Sequence, residues 1–288
     1  MPGRNFKLGE TRPVGGVFWR PKDPAMSTDP RDSRPHLLLH DCEDDNTPGP
    51  AAGIFATLAF MSRQDTEHTQ YGAPAHRMLT PALQPLDPWK KGSFTLTSRF
   101  LMEDVRVLEE AANQASAADV RGCLISVRQG LGIGRGPALA GGRAIRGHLA
   151  RIEGRVRDVT GLEYGIVVTD PTYSASRRYQ ALIPVIDLAE LMDEGEDPAA
   201  FQPEDGELLV EHADKGWTAA LPVGWSGILI DTVRLITLTE KWRKGRNPEK
   251  WLAKQITVLP YRVERDVLDG IDARLVRRLR LPVPAGSA

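Results

Sequence analysis

A chain of 288 residues exceeds what one small core usually supports and suits two domains of ordinary size. Hydrophobic residues at 41% and charged residues at 26% fit a folded globular protein, and a formal net charge of -1 excludes a globally basic nucleic-acid binder while leaving room for a local basic groove. Cys42 and Cys123 are too few for a disulfide framework, the N-terminal residues lack a secretory apolar core, and no apolar run approaches the ~18 residues that span a bilayer, so a reduced, cytoplasmic protein with no membrane partner is expected.

In chain order, Val14 to Trp19 reads as a short strand, followed by a surface loop from Pro21 to Ser33 rich in Pro, Asp, Ser and Thr. Leu37 to Leu39 and Ile54 to Met61 are apolar runs of strand length, separated by the Asp, Asn, Pro and Gly cluster from Asp41 to Gly53. A polar, proline-rich stretch from Gln64 to Pro88 leads to a further strand at Gly92 to Thr97. Past Leu101 the chain is expected to turn helical. Val120, Cys123, Leu124, Val127 and Leu131 then form an apolar stripe that packs on a sheet and stops against Gly130, Gly132 and Gly134. Gly and Pro crowd between Arg135 and Gly147, which marks a linker over 135–147 between domains at 12–134 and 148–284.

In the second domain strands are expected at Ala150 to Val159, Gly165 to Thr169, Tyr179 to Ile186, Glu207 to His212 and Ile228 to Leu235. Val263, Val267, Leu268, Ile271, Leu275 and Leu279 form the closing helical stripe, with Arg274, Arg277, Arg278 and Arg280 suited to a helix C-terminus. The acidic segment from Leu191 to Asp205 reads as a solvated insertion, with an internal mimic of nucleic acid as the less favoured reading.

The order of motifs repeats. Aligning Leu37-Leu38-Leu39-His40-Asp41 with Ile166-Val167-Val168-Thr169-Asp170 sets Arg34 opposite Glu163 and Ser62 near Ile186. Only the first half then holds residues suited to chemistry on a phosphate. The fold expected from this pattern is mainly β with C-terminal helices, as two similar units in tandem.

Three segments of the first half, Val14-Gly15-Gly16-Val17-Phe18-Trp19, Arg34-Pro35-His36-Leu37-Leu38-Leu39 and Phe60-Met61-Ser62, and the second half's Gly227-Ile228-Leu229-Ile230-Asp231-Thr232-Val233-Arg234-Leu235-Ile236, resemble the PemK/MazF family of toxin endoribonucleases. The resemblance covers most of both halves through short motifs. It implies two SH3-like small barrels of PemK/CcdB type, the second degenerate. It further implies cleavage of single-stranded RNA by 2′-hydroxyl attack, without metal or cofactor. An antitoxin protein is the implied partner, together with either an intramolecular pseudo-dimer or a homo-oligomer. By the same resemblance Arg34 would clamp the phosphate and Ser62 would donate a hydrogen bond to it. Ser stands here where Thr is commoner in the family, and Phe60 where Pro is frequent.

Residue by residue, plainer roles compete. Arg34 could pair with Asp32 or Asp41, and Ser62 could cap the loop that begins at Arg63. His36 and His40 alternate onto one face of a strand, where an imidazole could exchange protons near neutral pH. Gln64 and His68, just past Ser62, are candidates for touching substrate. In the second half, Arg146, Arg151, Arg155, Arg157, Arg177 and Arg178 could follow a phosphate backbone. Tyr173, Tyr179, Trp217 or Trp225 could stack bases, although core packing is the favoured role for these aromatics. The competing function is a catalytically inactive binding or structural protein that keeps the fold without turnover.

Overall fold

The computed structural model describes residues 15–20, 34–41, 54–62, 76–78, 93–104, 109–134, 146–169, 179–204, 206–210, 216–232, 235–239 and 255–282. In the first half these form β1 (Gly16–Arg20), β2 (Arg34–Asp41), β3 (Ile54–Ser62), β4 (His76–Met78), β5 (Ser93–Asp104), β6 (Glu109–Gln114) and helix α1 (Ala117–Gly130). The strands make one antiparallel sheet in the order β4-β5-β3-β2-β1-β6.

The second half contributes β7 (His148–Ile152), α2 (Gly154–Thr160), β8 (Tyr164–Val167), β9 (Tyr179–Asp187), β10 (Glu207–Val210), β11 (Ile228–Asp231), β12 (Ile236–Thr239), β13 (Ile256–Arg262) and α3 (Arg265–Arg278). Its sheet runs β10-β11-β9-β8-β7-β13, with β12 also paired to β9. The fold is therefore a mixture of antiparallel sheet and helix, β+α in class.

The two halves share a strand order. In each, the last strand pairs with the first, and the first, second and third strands follow one another across the sheet. The registers agree residue by residue. Val17 pairs with Leu37 as Leu149 pairs with Ile166, and Leu37 pairs with Leu58 as Ile166 pairs with Ile183. The β1–β6 and β7–β13 ladders slip at corresponding points, between Gly16 and Val17 in one and between Val258 and Arg262 in the other. The partner of β3 slips along β5 between Leu58 and Ala59, and the corresponding break separates β11 from β12 along β9. Bulges of this kind are positional features of a fold rather than accidents, so their coincidence is independent support for the internal repeat.

The closing helices correspond as well. Ala115 N donates to Gly15 O and Val263 N donates to Gly147 O, and each bond is followed by a helix of 14 residues. After each helix comes a residue in the left-handed region, Gly132 at φ 60 and Arg280 at φ 43. Glycine suits that position because it carries no Cβ. Arginine there is strained.

Three expectations need correcting, the first being the strand over Ile228 to Leu235, which ends at Asp231, with β12 beginning only at Ile236. The chain does not turn helical after Leu101, because β5 runs on to Asp104 and β6 follows before α1. The segment Glu109–Gln114 has few strand formers, but pairing with β1 satisfies its backbone, and that tertiary ladder outweighs local preference. The expected strand over Ala150 to Val159 also ends early, at Ile152. Gly154 takes φ 56, a helical turn follows, and Gly161 at φ 72 closes it. Gln255 locks this turn, its backbone oxygen accepting from Glu153 N at 2.7 Å and its side chain from Val156 N at 3.2 Å.

The second sheet is apolar on both faces at its centre: Ile166, Val167, Leu182, Ile183, Ile228, Leu229 and Ile230 are fully buried. Val156 of α2 joins Ala150, Ile152, Val167, Leu182 and Ile256 in one cluster. Helix α3 buries Val267, Leu268, Ile271 and Leu275 as its stripe requires. It is tied to the edge strand β10 by Arg274 Nε donating to Glu207 O at 2.7 Å and by Gly270, where an added Cβ would stand 3.3 Å from Leu208. In the first sheet Leu37, Leu38 and Leu39 are buried in succession, so β2 is covered on both faces there; each leucine contributes roughly 1.5–3 kcal/mol. Helix α1 lies against β5 and begins with Ser116, whose hydroxyl accepts from Asp119 N at 3.1 Å and donates to the Asp119 carboxylate at 2.9 Å. No helix among the described residues is long and apolar enough to cross a membrane.

By packing, the chain divides into residues 1–130 with 279–288 as one unit and 131–278 as the other. The expected linker 135–147 lies outside the described residues except for Arg146 and Gly147, and Arg146 is fully buried.

Candidate functional site

Arg34, His36 and Ser62 are described through their backbone positions; Gln64 and His68 lie outside the described residues. Arg34 opens β2 and Ser62 ends β3. Since His36 pairs with Ala59, the beginning of β2 lies beside the end of β3, and the two candidate positions share one end of the sheet. The same register counts Arg34 against Met61, one residue short of Ser62.

The β1–β2 register adds a position that sequence reading passed over. Arg20, the last residue of β1, is the direct cross-strand partner of Arg34. Directly opposed positions of an antiparallel pair belong to one face, and like charges there repel unless something negative is shared between them. The signal was present in the sequence as an arginine following Gly16-Val17-Phe18-Trp19. It became readable only once the register joined it to Arg34.

The corresponding end of the second sheet has different chemistry. Position 20 corresponds to Ile152 and position 34 to Glu163, a pairing marked by Ile152 N donating to Glu163 O at 2.7 Å. His36 corresponds to Gly165, where an added Cβ would stand 3.1 Å from Ile183 O. Ser62 corresponds to Asp187, not to Ile186: Ser62 pairs with Ser93 at the end of β3 as Asp187 pairs with Ile228 at the end of β9. The one-residue error arose because the alignment was fixed on apolar runs, which do not mark a strand's last residue.

Both acidic residues serve local structure. Glu163 forms an exposed ion pair with Arg157. Asp187 Oδ1 accepts from Ala189 N at 3.2 Å and from the backbone N and hydroxyl of Ser226, each at 3.1 Å. It thereby caps the turn at Leu188–Glu190 and fastens the loop that precedes β11. An anion approaching this end of the second sheet would meet two carboxylates and no opposed arginine pair.

Several expected contacts with nucleic acid are reassigned. Arg146 is fully buried and ion-paired to Asp272, with its Nε donating to Leu131 O at 2.9 Å, so it cannot follow a phosphate backbone. Asp272 also accepts from Gly134 N at 2.9 Å, and burial pushes its carboxyl above the usual value of 3.8 although Arg146 and the Gly134 amide pull the other way. Trp217 is 1% exposed and its indole donates to Glu264 at 2.9 Å, a core role. Trp225 meets Tyr164 edge-to-face with centroids 5.9 Å apart. Arg151 and Arg155 are exposed, whereas Tyr173, Arg177 and Arg178 lie outside the described residues. In the acidic insertion, Glu196 accepts from Asp193 N at 3.1 Å and Asp197 from Ala199 N at 3.0 Å. These carboxylates organise their own turns, which fits the solvated loop.

In comparison with known proteins, the chain matches no family model and no curated relative.

Proposed function

We propose that the first repeat cleaves single-stranded RNA in the manner of PemK/MazF-like toxins, on a small barrel of SH3-like type, and that the second repeat is a degenerate barrel without turnover. The observation that carries this reading is the opposition of Arg20 and Arg34 across β1 and β2, against Ile152 and Glu163 in the second repeat. Two cations at opposed positions favour a shared anion, and an RNA phosphate supplies one. The ribose 2′-oxygen would attack the adjacent phosphorus, the bond to the 5′-oxygen would break, and a cyclic phosphate would remain on one fragment. Arginine charge would stabilise the extra negative charge of the transition state. His36 pairs with Ala59 in the same register and is a candidate for moving the proton.

Ser62 has a further requirement. A position one residue out of direct register belongs to the opposite face of a regular pleat, so Ser62 can join Arg34 on one phosphate only if the chain turns at the end of β3. The second reading, a non-catalytic binding or structural protein, is favoured by the use of Glu163 and Asp187 for local bonds in the second repeat.

Purified protein incubated with a mixed RNA pool separates the readings. Cleavage that ends in cyclic phosphate and disappears in Arg34→Ala supports the nuclease. Intact RNA, with the wild-type chain folded, leaves the structural reading.

A further inference from the structure

The two packing units do not coincide with the two repeats. The strand registers and the paired helices make 131–134 the segment that follows the first repeat's helix, and 279–282 the corresponding segment of the second. The first of these belongs by packing to the unit 131–278, and the second to the unit formed by 1–130 and 279–288. Each segment is anchored in its unit. Within 131–278, Leu131 is fully buried, its carbonyl accepts from Arg146 Nε at 2.9 Å, and Gly134 N donates to Asp272 at 2.9 Å. Within the other unit, Leu279 and Leu281 are 1% and 3% exposed, and Pro282 O accepts from Arg128 Nη1 at 3.1 Å.

We infer that the repeats exchange their closing segments, so that each unit is completed by residues encoded at the end of the other repeat. The exchange is reciprocal: helix α1 is followed by residues that complete the second unit, and helix α3 by residues that complete the first. The left-handed residues Gly132 and Arg280 stand at the crossing points, each just after the helix has ended. A repeat cut off from its partner's segment lacks a buried leucine and the carbonyl that accepts from its arginine, and the second also lacks the Gly134 amide that donates to Asp272. Each unit is in this sense built from both repeats, and the inference does not depend on any nuclease activity.

Hydrogen exchange on the full chain tests it, with Leu281→Asp as the variant. Leu281 lies three residues past α3 in sequence yet packs within the unit that contains α1. Exchange of the α1 amides, 117–130, should accelerate at least tenfold while the α3 amides, 265–278, keep their protection. The mirror variant Leu131→Asp should accelerate exchange in β7 and α3 more than in β1 and β2. Should the aspartate variants unfold the whole chain, Leu281→Ala and Leu131→Ala give the same comparison with milder effect. Loss of protection in α3 with α1 unchanged, or no change in either helix, would overturn the exchange.

Discussion

The buried pair of Arg146 and Asp272 offers a quantitative test, because the first repeat has a leucine where the second has the buried carboxylate. The helix correspondence sets Leu124 at the position of Asp272. In the second repeat the side chains of Arg146 and Asp272 are 0% and 8% exposed, so water does little to relieve a lone charge. Arg146→Val should therefore leave the Asp272 carboxylate with the Gly134 amide alone and destabilise the chain by about 3–5 kcal/mol near neutral pH. Asp272→Leu should also destabilise, because it takes the ion-pair partner from a buried guanidinium that keeps its bond to the Leu131 carbonyl. The double variant should recover most of this loss, because removing both ions also removes both desolvation penalties. The carbonyl of Leu131 still loses a donor and the Gly134 amide its acceptor, about 1–3 kcal/mol for a buried group, so full recovery is not expected.

Urea unfolding of the wild type, two single variants and double variant closes the cycle. The pH dependence has a definite sign. The folded-state carboxyl of Asp272 is raised above 3.8 by burial, so its contribution to stability is fully present below 3.8 and declines as pH rises through the folded value. Removing Arg146 removes a charge that lowers this pKa, so the folded value climbs further. The destabilisation by Arg146→Val should accordingly be greatest near neutrality and shrink in acid, as the lone carboxyl takes up a proton. A cost below about 1 kcal/mol, a cost independent of pH, or a double variant as unstable as the two singles added would refute the assignment of a buried, mutually dependent pair.

Three other predictions follow from the same geometry. Arg280→Gly should raise stability by about 0.5–1 kcal/mol in thermal or urea unfolding, since it relieves a left-handed arginine where the first repeat has Gly132. Asp187→Ala should cost about 1–2 kcal/mol through loss of the cap to Ala189 and the two bonds from Ser226, with Asp187→Asn retaining most of the stability in the same assay. On the proposed nuclease reading, Arg34→Ala should cut RNA at least a hundredfold more slowly, corresponding to about 3 kcal/mol, with Arg20→Ala also impaired and Ser62→Ala retaining residual activity; chelator should change nothing, and a 2′-deoxy sugar at the cut site should abolish cleavage, as gel analysis of defined oligonucleotides would report.

The parts of the fold that were legible in sequence are those where burial imposes a pattern. Leu37-Leu38-Leu39, Ile166-Val167-Val168 and Ile228-Leu229-Ile230 are runs too apolar for anything but buried strands, and the stripes of α1 and α3 carry the spacing of one helical face. Elements held by pairing alone were not legible. β6 reads EEAANQ and β13 contains Pro260, and both exist because the first strand of each repeat presents backbone donors and acceptors to them. Gly154 hid a helical turn inside what looked like a continuous strand. At the candidate site, Arg34 and Ser62 could be named from motifs, but their spacing along the chain contains no register. Arg20 and Asp187 emerged only when paired strands fixed which residue stands opposite which.

The comparison of repeats also separates what the fold requires from what it tolerates. Ladder slips, helix lengths and the left-handed residue after each helix recur at corresponding places, although few side chains are identical between the repeats. These are backbone constraints, and losing one would cost hydrogen bonds along a whole strand. The strand-end residues obey no such constraint: Arg20 and Arg34 are replaced by Ile152 and Glu163 without any change in pairing. The charge at position 163 answers to a local contact, the ion pair with Arg157, rather than to the strand pairing. The opposed arginine positions of the first repeat are the asymmetry on which the proposed anion site rests, since placing like charges across two strands is unfavourable in itself. On the proposed nuclease reading a bound phosphate would offset that repulsion, and binding should weaken steeply with salt if several phosphates are engaged.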